Sequence, residues 1–252
     1  TATLPPEGAR DEAAVVPHEL SVLTIINDDK PFLVSSVMAE IQARGLKTFL
    51  VLHPVCATQR DEAHRLTGLE AWARPVAQER GHGGNAESVI LVVTEPLGDT
   101  TAQDLSKSLR SILDQVDAAV RDWKPMIARL DRAIAVLEQQ GGGEHTGLVA
   151  EAAAFCRWMR QGQFVFLGMR EYRLDGEPET GSLRVIEGSG LGVLVDPEIH
   201  ILRRGRELVS LNDEVRRFYL KPSPIIITKS NVQSVVHRRA HMDYVGLKIY
   251  GE

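Results

Sequence analysis

Cysteine is scarce in this sequence: Cys56 and Cys156 are the only two in 252 residues and lie a hundred apart. Without a C-x-x-C pair they make neither a disulfide framework nor a Cys-rich zinc site, and a reducing cytoplasm fits best. Long hydrophobic runs are missing too. No stretch approaches the roughly eighteen apolar residues of a membrane span, and no signal-peptide pattern is present. A basic excess is also lacking. The net charge is −5 and the pI about 5.9, which argues against nucleic acid or an anionic membrane as partner. The one basic run, His237-Arg238-Arg239, is too short to alter that. There is no initiating methionine, and the sequence stops at "LKIYGE" inside a strand-like pattern. It reads as a piece of something longer.

What is present is a core. Apolar residues make up 43% and charged residues 25%, enough for one large or two ordinary domains. Residues 1–17, rich in Pro, Ala and acids, read as a linker. Leu20 to Ile26 carries apolar residues on both alternating sets, as expected of a central strand covered on both faces. After the turn "NDDKPF", Leu33, Val37 and Ile41 take helical spacing, with Pro31 suited to a first turn and Gly45 to a C-terminal stop. "LKTFLVLHPV" alternates as a second strand. About thirty residues of no clear period follow, read as a loop containing Arg80 to Asn85. "SVILVV", Ser88 to Val93, is a third strand.

Thr101 with Asp104 reads as a capping pair for a long helix. Its stripe is Leu105, Leu109, Ile112, Leu113, Val116, Val120 and Trp123. Pro125 kinks or restarts it, and Ile127, Leu130, Ile134 and Leu137 continue it to Gly141-Gly142-Gly143. Another helix carries Leu148, Ala152, Phe155 and Met159 and ends at Gly162. Trp123 and Trp158 read as packing residues, and Asp114, Asp117, Asp122 and Asp131 as a solvated face. From Gln163 the pattern changes to short strands and turns, with candidates at 163–174, 182–188, 198–208, 224–230 and 243–250.

Most chemical motifs fail their structural conditions. "GHGGNA", Gly81 to Ala86, matches a dinucleotide fingerprint in letters, but a strand follows it where a helix is required. "GSGLGV", Gly188 to Val193, lacks the last glycine. Both read as flexible loops. His237 and His241 have Arg238 in place of a catalytic Glu, and His53 with Cys56 is an equally weak ligand pair. No nucleophile elbow, P-loop or close Ser/His/Asp set is legible.

The turn at residues 27–33 has two readings. In one, Asp28 or Asp29 caps the helix that follows. In the other, the strand end and helix N-terminus receive a small zwitterion. Asn27 and Asp29 then hold its amino group, and backbone N–H groups near Phe32 and Leu33 its carboxylate. Asn27, Asp28, Asp29, Pro31, Phe32 and Leu33 are the candidate ligand-binding residues, with no catalytic or metal-binding residue assigned.

The order strand, "DDKPFLVSSV" helix, strand, strand, helix resembles an ACT domain, the ferredoxin-like module of amino-acid metabolism. Such modules commonly carry D-x-P-G here. Asp29, Lys30 and Pro31 match, and Phe32 stands where glycine is usual. "IINDDKPFLVSSV", "LVLHPV", "RWMRQGQFVFLGMREYRL" and "ITKSNVQSVVHRRAHMDYVGLKIY" together resemble the amino-terminal region of the large bacterial NAD-specific glutamate dehydrogenases. The resemblance implies an α+β architecture: an ACT-like βαββα module over 18–124, a helical connector over 125–162, and a β-rich, PAS-like module over 163–252 lacking its last strand. It implies a non-catalytic regulatory and oligomerising region with no cofactor of its own. The parent enzyme would use NAD to convert glutamate to 2-oxoglutarate and ammonia. The implied partners are the downstream catalytic domain, further copies in a homo-oligomer and a free amino-acid effector. A purely structural assembly module, its turn plugged by Phe32, is the alternative.

Overall fold

The computed structural model describes residues 19–71, 85–139, 146–176, 182–199, 218 and 220–249. Two compact units make up the chain. The first comprises Thr1–Asp29 with Gln42–Leu105, the second Lys30–Ile41 with Ser106–Glu252, so one boundary crosses the turn between Asp29 and Lys30.

The first unit is built on an antiparallel sheet of β1 (Ser21–Asp28), β2 (Thr48–Leu52), β3 (Val55–Arg60), β4 (Leu66–Ala71) and β5 (Asn85–Thr94). Its order is β1-β5-β3-β4, with β2 also paired to β5. Alternation decides which side chains go in. Ile25 faces Ile90 and Leu23 faces Val92 in register on the covered face, and Ile90 and Val92 are fully buried. Each such side chain contributes about 1.5–3 kcal/mol.

Two expectations fail in this unit. Among the described residues β1 is not central: it pairs with β5 alone and ends the sheet. Its second apolar set, Val22 and Ile26, is 61% and 57% exposed. The run is apolar on both faces, but only one is covered. The stretch read as a loop also holds the β3–β4 hairpin, hidden because Thr58, Gln59, Arg60 and Thr67 leave little apolar alternation. Residues 80–84 of "RGHGGN" lie outside the described residues.

α1 (Leu33–Ala43), all but its last two residues in the second unit, follows the turn, and Gly45, in the first, takes φ +69°, the left-handed stop expected of it. The long helix α2 (Asp99–Arg121), which belongs to the first unit as far as Leu105 and to the second from Ser106, starts before the expected Thr101–Asp104 cap, its first turn closed by the Ala102 N–H to the Gly98 carbonyl. It gives way at Asp122 to α3 (Trp123–Gln139), with Pro125 in the first turn, where no N–H is needed. α4 (Thr146–Trp158) passes into a wide turn over Met159–Gln163, closed by Gly162 at φ +86°. Leu130, Ile134, Ala153, Cys156 and Met159 form a buried cluster, against which Phe155, Phe164, Ile225, Val245 and Leu247 pack. Burial pushes the Cys156 thiol up to about 11, so it is an inert core residue. Trp123 and Trp158 are 52% and 45% exposed rather than packed inside.

The remaining strands are short: β6 (Gly168–Met169), β7 (Tyr172–Asp175), β8 (Ser182–Val185), β9 (Leu191–Gly192), then the longer β10 (Ile225–Gln233) and β11 (His241–Leu247). They form three two-stranded pairs, β6-β9, β7-β8 and β10-β11. Among the described residues of 163–174, none joins the five-stranded sheet. Of the glycines at 188–192, Gly190 and Gly192 pack directly against backbone. A Cβ on Gly190 would meet the Leu194 carbonyl oxygen at 2.2 Å, and one on Gly192 the Leu167 oxygen at 2.2 Å. Asp122, expected on a solvated face, is buried and accepts the Gly192 N–H at 2.8 Å. Its ion pair with Arg121, helped by that bond, holds its carboxyl below the ordinary range. Among the described residues no helix is long and apolar enough to cross a membrane.

Candidate functional site

In the first unit, the end of β1 meets the start of β5: Asn27 faces Ser88, Asp28 faces Glu87, and the Asp29 N–H donates to the Ala86 carbonyl at 2.7 Å. Ser88 is fully buried and its hydroxyl donates to Asp29 Oδ1 at 2.5 Å. His53 Nε2 lies 3.0 Å from the same hydroxyl. Because that proton goes to the carboxylate, the imidazole is the donor to Ser88 Oγ, a tautomer set by the network. The chain thus reads Asp29–Ser88–His53, a close set that sequence spacing did not reveal. Its order is wrong for acyl transfer. The serine gives its proton to an acid instead of a histidine base, and its buried hydroxyl is closed to substrate. Asp29 is engaged with Ser88, and among the described residues no side-chain cap on α1 forms.

Beside it, Arg60 grips Glu87 with two bonds of 2.5 and 2.7 Å. That contact holds the Glu87 carboxyl below its usual range against the opposing effect of burial. The same bond raises Arg60, and the charge of Asp28 adds to it. Arg60 also donates to the His64 carbonyl at 2.8 Å.

In the second unit, Lys30 pairs with Asp117 at 2.7 Å, and Pro31 is exposed. Phe32 takes φ +74°, the left-handed conformation of the glycine usual at this position in ACT modules. For a side chain with a Cβ this costs about 1–2 kcal/mol. Local bonds hold it there: the Phe32 carbonyl accepts the Ser36 N–H at 3.0 Å and the Ser35 hydroxyl at 3.2 Å. Its ring rests on His237, centroids 5.1 Å apart. His237 is itself left-handed, at φ +68°, and its N–H donates to Ser36 Oγ at 2.8 Å. Two residues on, Arg239 pairs with the buried Glu40, which also accepts from Ser108 at 2.7 Å. Leu33 is buried.

The turn residues therefore divide. Asn27, Asp28 and Asp29 belong to the sheet end, while Pro31, Phe32 and Leu33 belong to the second unit. Ser88 and His53 were missed because a serine opening an apolar strand and a histidine before a proline carry no motif. His237 sat in a basic turn, as read, but with a role in clasping α1. His241 Nδ1 lies 3.0 Å from the Ser230 carbonyl. Among the described residues no group of three or more His, Cys, Asp or Glu side chains could hold a metal ion. NAD does not fit the glycine turn at 188–193 either. Backbone already fills the approach that a pyrophosphate needs, and only a three-residue turn, Val193–Val195, follows.

Similarity to known proteins indicates an ACT-type domain, here with an atypical turn. Residues 8–109 match the family model described as glutamate dehydrogenase, ACT1 domain. Along nine-tenths of its length the chain is similar to NAD-specific glutamate dehydrogenases. That of Halomonas elongata is 29% identical over 238 residues, covering 91% of this chain and 14% of the relative. That of Pseudomonas aeruginosa is 23% identical over 233 residues, covering 90% of this chain and 14% of the relative. The chain thus spans about 14% of the length of these curated relatives. No solved structure matches it significantly.

Proposed function

We propose that this chain is the regulatory and assembly region, at the amino-terminal end, of an NAD-dependent glutamate dehydrogenase whose catalytic domain lies elsewhere in the protein. The relationship to NAD-specific glutamate dehydrogenases over nine-tenths of the chain supports this most directly. In this reading the ACT-like module covers 18–124, a helical connector 125–162, and a PAS-like module 163–252. The chain works in the cytoplasm as part of a homo-oligomer. Its influence on the active site is linkage: it favours one quaternary arrangement by no more than its differential free energy for the two.

For the turn, the structural reading is the better supported. Asp29 bonds Ser88, Lys30 pairs with Asp117, and the Phe32 ring lies tilted against His237, so these three side chains of the turn already have partners. A second reading, an amino-acid sensor, rests on Asp29 and the exposed His53, which meet on the one Ser88 hydroxyl.

One experiment separates them. Glutamate-dependent NAD reduction and sedimentation are measured on the complete enzyme with and without residues 1–252, each titrated with a panel of free amino acids. We expect turnover to persist without the segment while subunit assembly changes. A response to one amino acid that Asp29→Ala abolishes would favour the sensor. Loss of turnover with assembly intact would overturn the regulatory reading.

A further inference from the structure

Residues 234–240 join β10 to β11 and carry the exposed basic run His237-Arg238-Arg239. The β10·β11 ladder is regular as far as Lys229 opposite Asp243, then shifts register and has one more pair, Gln233 opposite His241. Such a break bends the strand and interrupts the ladder, so the tip beyond it is not carried by strand pairing. The tip is tied to itself instead. Ser234 Oγ accepts the Val236 N–H at 3.0 Å, and the Ser234 N–H donates to the Ala240 carbonyl at 2.9 Å. The Arg238 N–H donates to the Val236 carbonyl at 2.8 Å, closing a three-residue turn around His237. With His237 at φ +68°, this is the γ-turn of positive φ, the rare and strained kind.

What holds the tip down is one stripe of α1 and the residue before that helix. The Phe32 ring lies against the His237 ring, and Ser35 Oγ is 3.3 Å from His237 Nδ1. The buried Ser36 hydroxyl accepts the His237 N–H at 2.8 Å, and the buried Glu40 carboxylate takes Arg239. Ser36 and Glu40 lie one turn apart on the same face of the helix. Two opposed effects meet here. Lifting the tip parts Arg239 from a carboxylate that is only 3% exposed, which costs free energy. Lifting it also lets His237 leave the γ-turn, which returns some. We infer that residues 234–240 are a strap that closes on α1 and lifts from it as a unit, and that its state decides whether the start of the helix, from Phe32 to Ser36, is held or free. Closed, the strap sets a ring on Phe32 and fills the Ser36 hydroxyl. Lifted, it releases both. All these contacts lie within the second unit. The inference goes beyond the regulatory and assembly role proposed above, which names no moving part, and does not rest on it.

Hydrogen exchange on the complete protein, read at single amides by fragmentation mass spectrometry, tests the strap without reference to activity. The bonded amides of Ser234, Val236, His237 and Arg238 should share one opening, and the Ser36 amide, bonded to the Phe32 carbonyl, should open with them. They should exchange at least about tenfold faster than the α3 amides from Leu130 to Leu137, at a rate that low denaturant leaves unchanged, as local opening requires. Glu40→Gln keeps the shape of the side chain and removes its charge. It should speed the amides of His237 and Ser36 together, by about tenfold, and leave α3 unchanged. A His237 amide that exchanges only at the rate of α3 overturns the inference, because the tip then opens with the core. So does a rise at His237 without one at Ser36, because the strap then moves without releasing the helix start. Should Glu40→Gln loosen α3 as well, Ser36→Ala, which deletes a single hydroxyl, decides by the same comparison of the amides at 36 and 237.

Discussion

The two compact units solve the problem of ordering a β-structure in different ways. In the first, β5 runs ten residues and carries β1 on one side and β2 and β3 on the other, so main-chain ladders do most of the ordering. In the second, β10 and β11 keep a ladder of their own, but β6 and β9 are two residues each, and around them side chains reaching to backbone supplement the ladder. Arg170 donates to the carbonyls of Leu194, Asp196 and Ile199 at 2.6 to 3.1 Å. Arg129 reaches the Ser189 carbonyl, and Asp122 takes the Gly192 N–H. A long ladder spreads its stability over many bonds, so the loss of any one is small. A turn pinned at a few atoms concentrates it.

That contrast can be broken at the pinned turn. Gly192→Ala should have the largest effect. The alanine Cβ meets the Leu167 oxygen, and φ +60° with ψ −139° is a conformation that suits little but glycine. A loss of about 3 kcal/mol is expected by denaturant titration. A loss below about 1 kcal/mol would mean that the turn shifts freely. Asp122→Ala comes next, at about 2 kcal/mol, because the buried Gly192 N–H loses its acceptor. Hydrogen exchange at Gly192 should rise with it, and an unchanged rate would show that another group takes over.

The smallest effect belongs to the sheet. Glu87 is held below its ordinary carboxylate value of 4.5, chiefly by Arg60. A depressed folded-state value stabilises above the unfolded one, and that stabilisation is lost as pH falls through the folded one. Thermal unfolding of the chain should therefore carry an acid-labile component of about 2 °C below pH 4.5 that Arg60→Met removes. An identical acid profile in the variant would show that the pair contributes nothing.

The clasp at Phe32 and His237 belongs to neither style. Two non-glycine residues sit left-handed against each other, strain that the surrounding bonds sustain. Reading Phe32 as a replacement for a glycine pointed to crowding at the turn. That the backbone would keep the glycine conformation, and that His237 would meet the ring, depended on residues two hundred positions apart in sequence.

The elements with strong periods were legible from their residues alone. Alternation marked β1, β2 and β5, three-to-four spacing marked α1 and the pair α2 and α3, and Gly45 and Gly162 marked helix ends, because these are local consequences of backbone geometry. The ACT-type order followed from them. What only tertiary structure decided was which faces would be covered and which groups would meet. An apolar strand does not state whether it lies at the centre or the edge of a sheet, and among the described residues β1 lies at the edge. A polar hairpin such as β3–β4 has no apolar period to display. Ser88, Asp29 and His53 come together because β1 and β3 both pair with β5, and pairing is a property of the fold, not of any one segment.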